Sequence, residues 1–151
     1  MIKNISNLGD AALYCDFGEE VNKEINSKVI NYFNNIKGQK ILGITNIVPS
    51  YNKLIINFDL NLTNFEKISE ILKTIDLKPY DNSKNKLIKI PICCEDEFAL
   101  DIDRLEKNFQ ISKDQILKNF FSKEYFCYMT GFIAGMPFLG DIDRKIRLKR
   151  L

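Results

Sequence analysis

Histidine is absent from the chain, which leaves Asp, Glu, Lys, Tyr and Cys as the only side chains able to carry acid–base chemistry. A Ser-His-Asp or Cys-His apparatus is thereby excluded, and a zinc site would have to be built from cysteines and carboxylates alone. Cys15, Cys93, Cys94 and Cys127 form no C-x-x-C pair and each lies in an apolar stretch, which predicts reduced thiols in the core and no metal site. Neither G-x-x-x-x-G-K-[ST] nor G-x-G-x-x-G occurs, so the two commonest sequence signatures of a phosphate cradle are missing. Glu97 and Asp101 stand four apart, a spacing that suits a carboxylate pair on one helical turn and equally suits solvated acids at a helix start.

The densest constellation lies near the end of the sequence, in "GFIAGMPFLGD", residues 131–141. Gly131, Gly135, Gly140 and Pro137 interrupt a run that includes Phe132, Met136 and Phe138, side chains unfavourable to leave in water. Such a loop packs or binds. On the structural reading the glycines hold tight turns or close approaches. On the functional reading the turn from Gly135 to Pro137 presents backbone amides, flanked by Phe132 and Phe138, to a small ligand or a partner.

The remaining composition is that of an ordinary globular chain. Its 151 residues are 45% hydrophobic and 28% charged, enough for one domain or two small ones. No apolar run reaches the length of a membrane span, and "MIKNISNLGD" has no signal-peptide core, so a cytoplasmic protein without membrane partners is expected. A net charge of +2 gives no argument for nucleic acid. The basic end "RKIRLKRL" reads as a solvated strand or tail.

The elements that must position these residues alternate in a definite order. "AALYCDF" reads as a strand, and residues 19–37 carry Val21, Ile25, Val29, Tyr32, Phe33 and Ile36 at helical spacing up to Gly38. "ILGITNIVP" and "KLIINFDL" read as a hairpin joined by "SYN". Thr63 and Glu66 form a capping box ahead of Ile68, Ile71, Leu72 and Ile75, and "KLIKIPICC" reads as a further strand after the polar loop "DNSKN". The order β-α-β-β-α-β predicts an α+β, ferredoxin-like domain over residues 1–85, with Val21, Ile25, Val29, Phe33, Ile68, Leu72 and Ile75 buried against its sheet. Over residues 86–151, "DIDRLEKNF" and "SKDQILKNFF" predict a helical hairpin, the second helix opening on a box from Ser112 to Gln115. "EYFCYMTGF" then reads as a strand buried on both faces.

"LGDAALYCDFGEEVNKEIN", "GITNIVPSYNKLIINFD", "IKIPICCEDEFALDIDRL" and "GFIAGMPFLG" resemble, in order and spacing, segments of the family of the 5-oxoprolinase B-type subunit, which also covers a Kip-type histidine-kinase inhibitor and the first subunit of allophanate hydrolase. The resemblance runs from Leu8 to Gly140, and its most specific part is the loop, G-F-x-P-G-F-x-Y-L-G in relatives. It implies a small α+β domain followed by a cyclophilin-like β-barrel, here incomplete because the sequence ends at Leu151 without the relatives' later strands. A barrel left open exposes strand edges and apolar faces that a partner or second copy would cover.

The sequence departs from the family pattern at several positions. Ala134 and Met136 replace a proline and a phenylalanine of the loop, and Phe120 stands where relatives place a histidine five residues before a tyrosine, here Tyr125. Cys94, Glu95, Asp96, Ala99 and Leu100 replace the Tyr, Gly, Gly, Gly and Pro of C-Y-G-G-E-F-G-P-D. A phenylalanine in place of histidine removes a donor, an acceptor and a proton shuttle together, and no catalytic residue is assigned.

The resemblance implies a component of an ATP-dependent 5-oxoprolinase like its B-type subunit, with ATP as co-substrate of an assembly containing a homologous barrel subunit and a third subunit. The alternatives are a non-catalytic kinase inhibitor or binding protein, an allophanate-hydrolase-like subunit, and a shortened remnant. Gly131, Phe132, Gly135, Met136, Pro137, Phe138 and Gly140 are the candidate substrate- or partner-binding residues, and self-association through the loop is a further expectation.

Overall fold

The computed structural model describes residues 1–79 and 86–148. They fall into two compact units, Met1–Ser83 with Tyr128–Phe138, and Lys84–Cys127 with Leu139–Leu151. The expected division at residues 85 and 86 is therefore crossed by one later segment, which groups with the first unit.

The sheet of the first unit is built from β1 (Asn4–Asn7), β2 (Ala12–Asp16), β3 (Ile44–Pro49) and β4 (Lys53–Phe58), in the antiparallel order β1-β2-β4-β3. Strict alternation in β4 sends Leu54, Ile56 and Phe58 to the buried face, where they meet Leu13, Cys15 and Phe17. The helices α1 (Lys23–Gln39) and α2 (Phe65–Thr74) supply the rest of this core through Val29, Tyr32, Ile36, Ile68 and Leu72. Burial of each large aliphatic side chain contributes about 1.5–3 kcal/mol. Burial also pushes the Cys15 thiol up to about 12, so it remains a protonated, unreactive core group.

Four of the seven predicted core positions are only partly right or wrong. Val29, Ile68 and Leu72 are buried, and Ile25, Phe33 and Ile75 pack on the core while partly exposed. Val21 is exposed, because α1 begins at Lys23, where Asn22 caps it by accepting from the Ile25 N–H. Gly38 lies within α1, and Lys40, in left-handed conformation, ends the helix instead. Asn64 rather than Thr63 caps α2, accepting from the Lys67 N–H.

The β-α-β-β-α part of the expected order is present, whereas no strand is assigned over residues 86–94. The edge beside β2 is held by β1, whose Asn4, Ile5, Ser6 and Asn7 pair with Asp16, Cys15, Tyr14 and Leu13. A tight turn at Gly9 delivers β1 to that edge with a far shorter loop than a strand arriving after α2 would close. Cys93 and Cys127 are exposed and Cys94 is half-buried, so of the expected core thiols only Cys15 is one.

In the second unit α3 (Ile102–Phe109) and α4 (Lys113–Phe121) form the expected pair of helices. Ile102, Leu105 and Phe109 are half-buried on α3, and Ser112 caps α4 by accepting from the Gln115 N–H. The Gln115 side chain turns to Asn119 and does not close the box. Glu106 Oε1 accepts from the Lys113 N–H at 2.6 Å and fastens the start of α4 to α3. Of "RKIRLKRL", Arg144–Ile146 forms a 3-10 turn that buries Ile146, while residues 149–151, like the "DNSKN" loop, lie outside the described residues. No described helix is long and apolar enough to cross a membrane, and no described cluster of three or more His, Cys, Asp or Glu side chains could hold a metal ion.

Two expectations follow from these contacts. Gly43 adopts φ +87°, and a Cβ there would lie 2.6 Å from Thr63 Cγ2, whereas Gly135 at φ +80° has open space. Gly43→Ala is expected to lose roughly 1–3 kcal/mol more than Gly135→Ala in chemical denaturation, because only the former adds a clash to the strained backbone. Lys53 Nζ donates to Asp16 Oδ1 at 2.5 Å, and the Gly18 N–H donates to the same oxygen at 2.7 Å. Lys53 first and Gly18 second hold the Asp16 carboxyl below its usual range, so its contribution is present above the unfolded carboxylate pKa and is lost as pH falls through the folded one. Urea midpoints followed from neutral pH to below about pH 4 should fall less steeply for Asp16→Asn than for the native chain.

Candidate functional site

The loop singled out in the sequence is the turn of a β-hairpin. Its strands are β5 (Cys127–Thr130) and β6 (Pro137–Leu139), paired as a two-stranded sheet. The Gly131 N–H donates to Met136 O at 3.1 Å, the Ile133 N–H to Gly131 O at 2.8 Å and the Met136 N–H to Ile133 O at 3.2 Å. These bonds fold the apolar tip back on itself. Phe132 is in left-handed conformation at φ 67° and is 91% exposed, so a strained backbone and an unburied aromatic ring coincide at one residue. Ile133, Met136 and Leu139 are exposed as well.

The structure thus places Gly131, Phe132, Gly135 and Met136 in the turn, Pro137 and Phe138 on β6, and Gly140 just beyond, its N–H donating to Phe126 O at 3.1 Å. The expected row of amides from Gly135 to Pro137 is not what the turn offers. Pro137 has no N–H, and that of Met136 is bonded to Ile133. What the turn presents is apolar side chain. Nor is "EYFCYMTGF" buried on both faces: along β5 only Tyr128 is buried, Met129 is half-buried, and Cys127 and Thr130 are exposed.

The base of the hairpin is held by residues that lie within the family-like segments but that the sequence does not single out as a site. Asn26, buried on α1, directs its Nδ2 amide to Ser50 O at 3.2 Å, Tyr51 O at 2.9 Å and Tyr128 O at 3.0 Å. The Tyr51 ring stacks on Tyr128 with centroids 5.8 Å apart and meets the edge of Phe138 at 6.3 Å. Ser50 Oγ lies 3.3 Å from Met129 Sδ. The "SYN" connection is therefore a seat for the hairpin as well as a turn, and its own Asn52 donates to Gly18 O, Glu19 O and Glu20 O.

A second group of sequence-marked residues lies in the second unit. Phe120 and Tyr125 stack at 5.1 Å with rings 27° apart, and Tyr125 Oη donates to Phe120 O at 2.8 Å. Lys123 Nζ sits 5.5 Å over the Tyr125 ring and donates to Asp141 O. Burial, then the nearby Asp143 carboxylate, raises the Tyr125 hydroxyl above its ordinary range, so it stays protonated. The position expected to carry a proton in relatives is here one face of an aromatic pair.

Cys93, Cys94, Glu95, Asp96, Glu97 and Lys113 line an open hollow of about 760 Å³ in the same unit. Lys113 Nζ and Asp96 Oδ1 are 2.5 Å apart, which lowers the carboxyl and raises the ammonium. Asp101, at the start of α3, faces Arg104 at 3.5 Å, and Glu97 is exposed in the turn before it.

The family model for the carboxyltransferase domain, subdomain C and D, matches residues 3–151. The chain belongs to that family. It is 27% identical to the B-type subunit of the 5-oxoprolinase of Bacillus subtilis (strain 168), over 97% of this chain and 66% of that protein, so it spans slightly less than two thirds of that relative. Among solved structures, that of TTHA0988 superposes with a TM-score of 0.78 at 22% identity, covering 93% of this chain and 27% of that one. The urea amidolyase of K. lactis superposes with a TM-score of 0.64 at 15% identity, covering 84% of this chain and 9% of that one. Both structural likenesses bear on fold, which is a mixed α/β arrangement with antiparallel sheets.

In this carboxyltransferase-domain chain Asn26 is the group whose loss should be felt furthest. Asn26→Ala is expected to lose about 1–3 kcal/mol, because three carbonyls lose a buried donor. Hydrogen exchange should show the amides of β5 and β6 losing protection more than those of β2 and β4. Equal loss in both sets would mean that Asn26 serves the whole unit and not the hairpin.

Proposed function

We propose that the chain is a component of an ATP-dependent 5-oxoprolinase, equivalent to its B-type subunit and contributing to the opening of 5-oxo-L-proline to L-glutamate within an assembly. The observation that carries this reading is the 27% identity that extends along 97% of the chain to the B-type subunit of a 5-oxoprolinase. The partners in the proposal are a homologous barrel subunit and a third subunit, and the apolar tip at Phe132, Ile133 and Met136 is the surface proposed to meet one of them, supported by its exposure and strained backbone.

ATP would enter the assembly as co-substrate to activate the lactam carbonyl, but the described hollow of this chain does not fit a triphosphate. Glu95, Asp96 and Glu97 oppose a single lysine that Asp96 already holds. Their charge disfavours a polyanion there, so this hollow is not the nucleotide site of the proposal. A purely binding role, as in the Kip-type inhibitor, is the second reading. It is favoured by the Phe120–Tyr125 pair, because a phenylalanine stands at the position that relatives give to histidine and stacks there instead of titrating.

The purified chain with ATP and 5-oxo-L-proline is expected to give no turnover, and addition of the partner subunits from the same organism should restore it. Glutamate release coupled to ATP hydrolysis is the readout. Turnover by the chain alone would overturn the division of labour, and a reconstituted assembly equally active without this chain would leave the binding role.

A further inference from the structure

Of the three methionines, Met1 is exposed at the start of the chain and Met136 is exposed in the hairpin turn. Met129 differs from both. It is half-buried on β5, and its Sδ accepts from Ser50 Oγ at 3.3 Å. Ser50 is engaged at its other polar groups as well: its N–H donates to Lys53 O at 2.9 Å and its carbonyl accepts from Asn26 Nδ2 at 3.2 Å. The methyl end of Met129 lies against the backbone where β5 ends, since a Cβ added at Gly131 would stand 3.0 Å from Met129 Cε. One thioether thus joins the β3–β4 connection to the hairpin, and a thioether is a group that peroxides oxidise.

We propose that Met129 is a reversible oxidation site whose sulfoxide loosens the hairpin from its seat. Hydrogen peroxide supplies the oxygen: a sulfur lone pair attacks one peroxide oxygen, the S–O bond forms as the O–O bond breaks, and water leaves. Sulfur gives up two electrons and the peroxide takes them. The product is polar where the thioether was not, and its oxygen accepts hydrogen bonds far more strongly than sulfur does. An oxygen set between Sδ and Oγ needs its own bond to sulfur and about 2.7 Å to the hydroxyl oxygen, which together exceed the present 3.3 Å. An oxygen set elsewhere on the sulfur draws the hydroxyl aside. In both cases the contact between Ser50 and the sulfur is lost. Because Lys53 and Asn26 hold the backbone of Ser50, the displacement falls on β5 and β6. Reduction by methionine sulfoxide reductases, which use a thiol reductant and return the oxygen as water, restores the thioether and the contact.

The inference does not depend on the oxoprolinase reading. Its test uses the full chain with Cys93→Ser, Cys94→Ser, Cys127→Ser and Met136→Leu, so that exposed thiols and the tip sulfur do not compete for dilute hydrogen peroxide. Peptide mass spectrometry is expected to find one oxygen gained at Met129, more slowly than at Met1, while circular dichroism stays native. Amides of β5 and β6 should then exchange at least about tenfold faster, with those of β2 and β4 unchanged, and reductase treatment should reverse the effect. Adding Met129→Leu should abolish the response to peroxide. Adding Ser50→Ala should speed hairpin exchange before oxidation and leave it little changed after. Met129 still reduced once Met1 is fully oxidised, a sulfoxide at Met129 that leaves β5 and β6 as protected as before, or an undiminished response in Met129→Leu would overturn the proposal. Should Met129→Leu fail to fold, Ser50→Ala decides, and a full response to peroxide in that variant would count against the latch.

Discussion

The amide of Asn26 is the point on which the first unit turns. It is buried, so each proton it carries must find an acceptor, and the acceptors available are carbonyls of the β3–β4 connection and of β5. A helix, a tight turn and a strand remote in sequence are thereby held by one side chain. Remove the amide and all three carbonyls lose this donor; replace it by an apolar group and the same loss remains. The aromatic contacts of Tyr51 with Tyr128 and Phe138 add area, but they are less directional than the hydrogen bonds and follow from the positions those bonds impose.

From this seat the hairpin projects an apolar tip. The core of the unit is built from buried apolar side chains; at the tip, Phe132 and Ile133 face water and Phe132 does so from a backbone conformation that disfavours it. The arrangement combines a rigid base with an apolar end, which suits a contact made with another surface more than a cavity that encloses a small molecule. Phe120 stacks on Tyr125, and the hollow of the second unit is lined by three acids and a single lysine.

Periodicity made much of this legible. The helices α1 to α4 and the strands β2 to β4 follow from apolar spacing and alternation, because each buries one face against a core that its own residues build. β1 was not legible: Asn-Ile-Ser-Asn is short and polar, and it is a strand only because β2 offers it an edge close at hand. The opposite error arises at Lys86–Cys94, where a strand-like pattern has no partner among the described residues. The turn at Gly131–Gly140 was recognisable from its glycines and proline, yet which side chains it leaves in water depends on packing that spacing does not encode. Asn26 carried no signal beyond its place at the end of a family-like segment. An asparagine in a helix reads as a solvent-facing residue unless one knows that Tyr128, 102 positions later, brings its carbonyl alongside.

That long interval bears on how the molecule is made. As the chain leaves the ribosome, α1 and the β3–β4 connection emerge early, and Asn26 can engage Ser50 and Tyr51 at once. The carbonyl of Tyr128 arrives only after all of α3 and α4 have been synthesised. Through that period the early part of the first unit stands without its hairpin, its seat at Tyr51 uncovered. Loop closure over such a span is slow compared with local helix and hairpin formation. Until Tyr128 and Phe138 arrive, the Tyr51 ring lacks the aromatic cover it has in the finished unit.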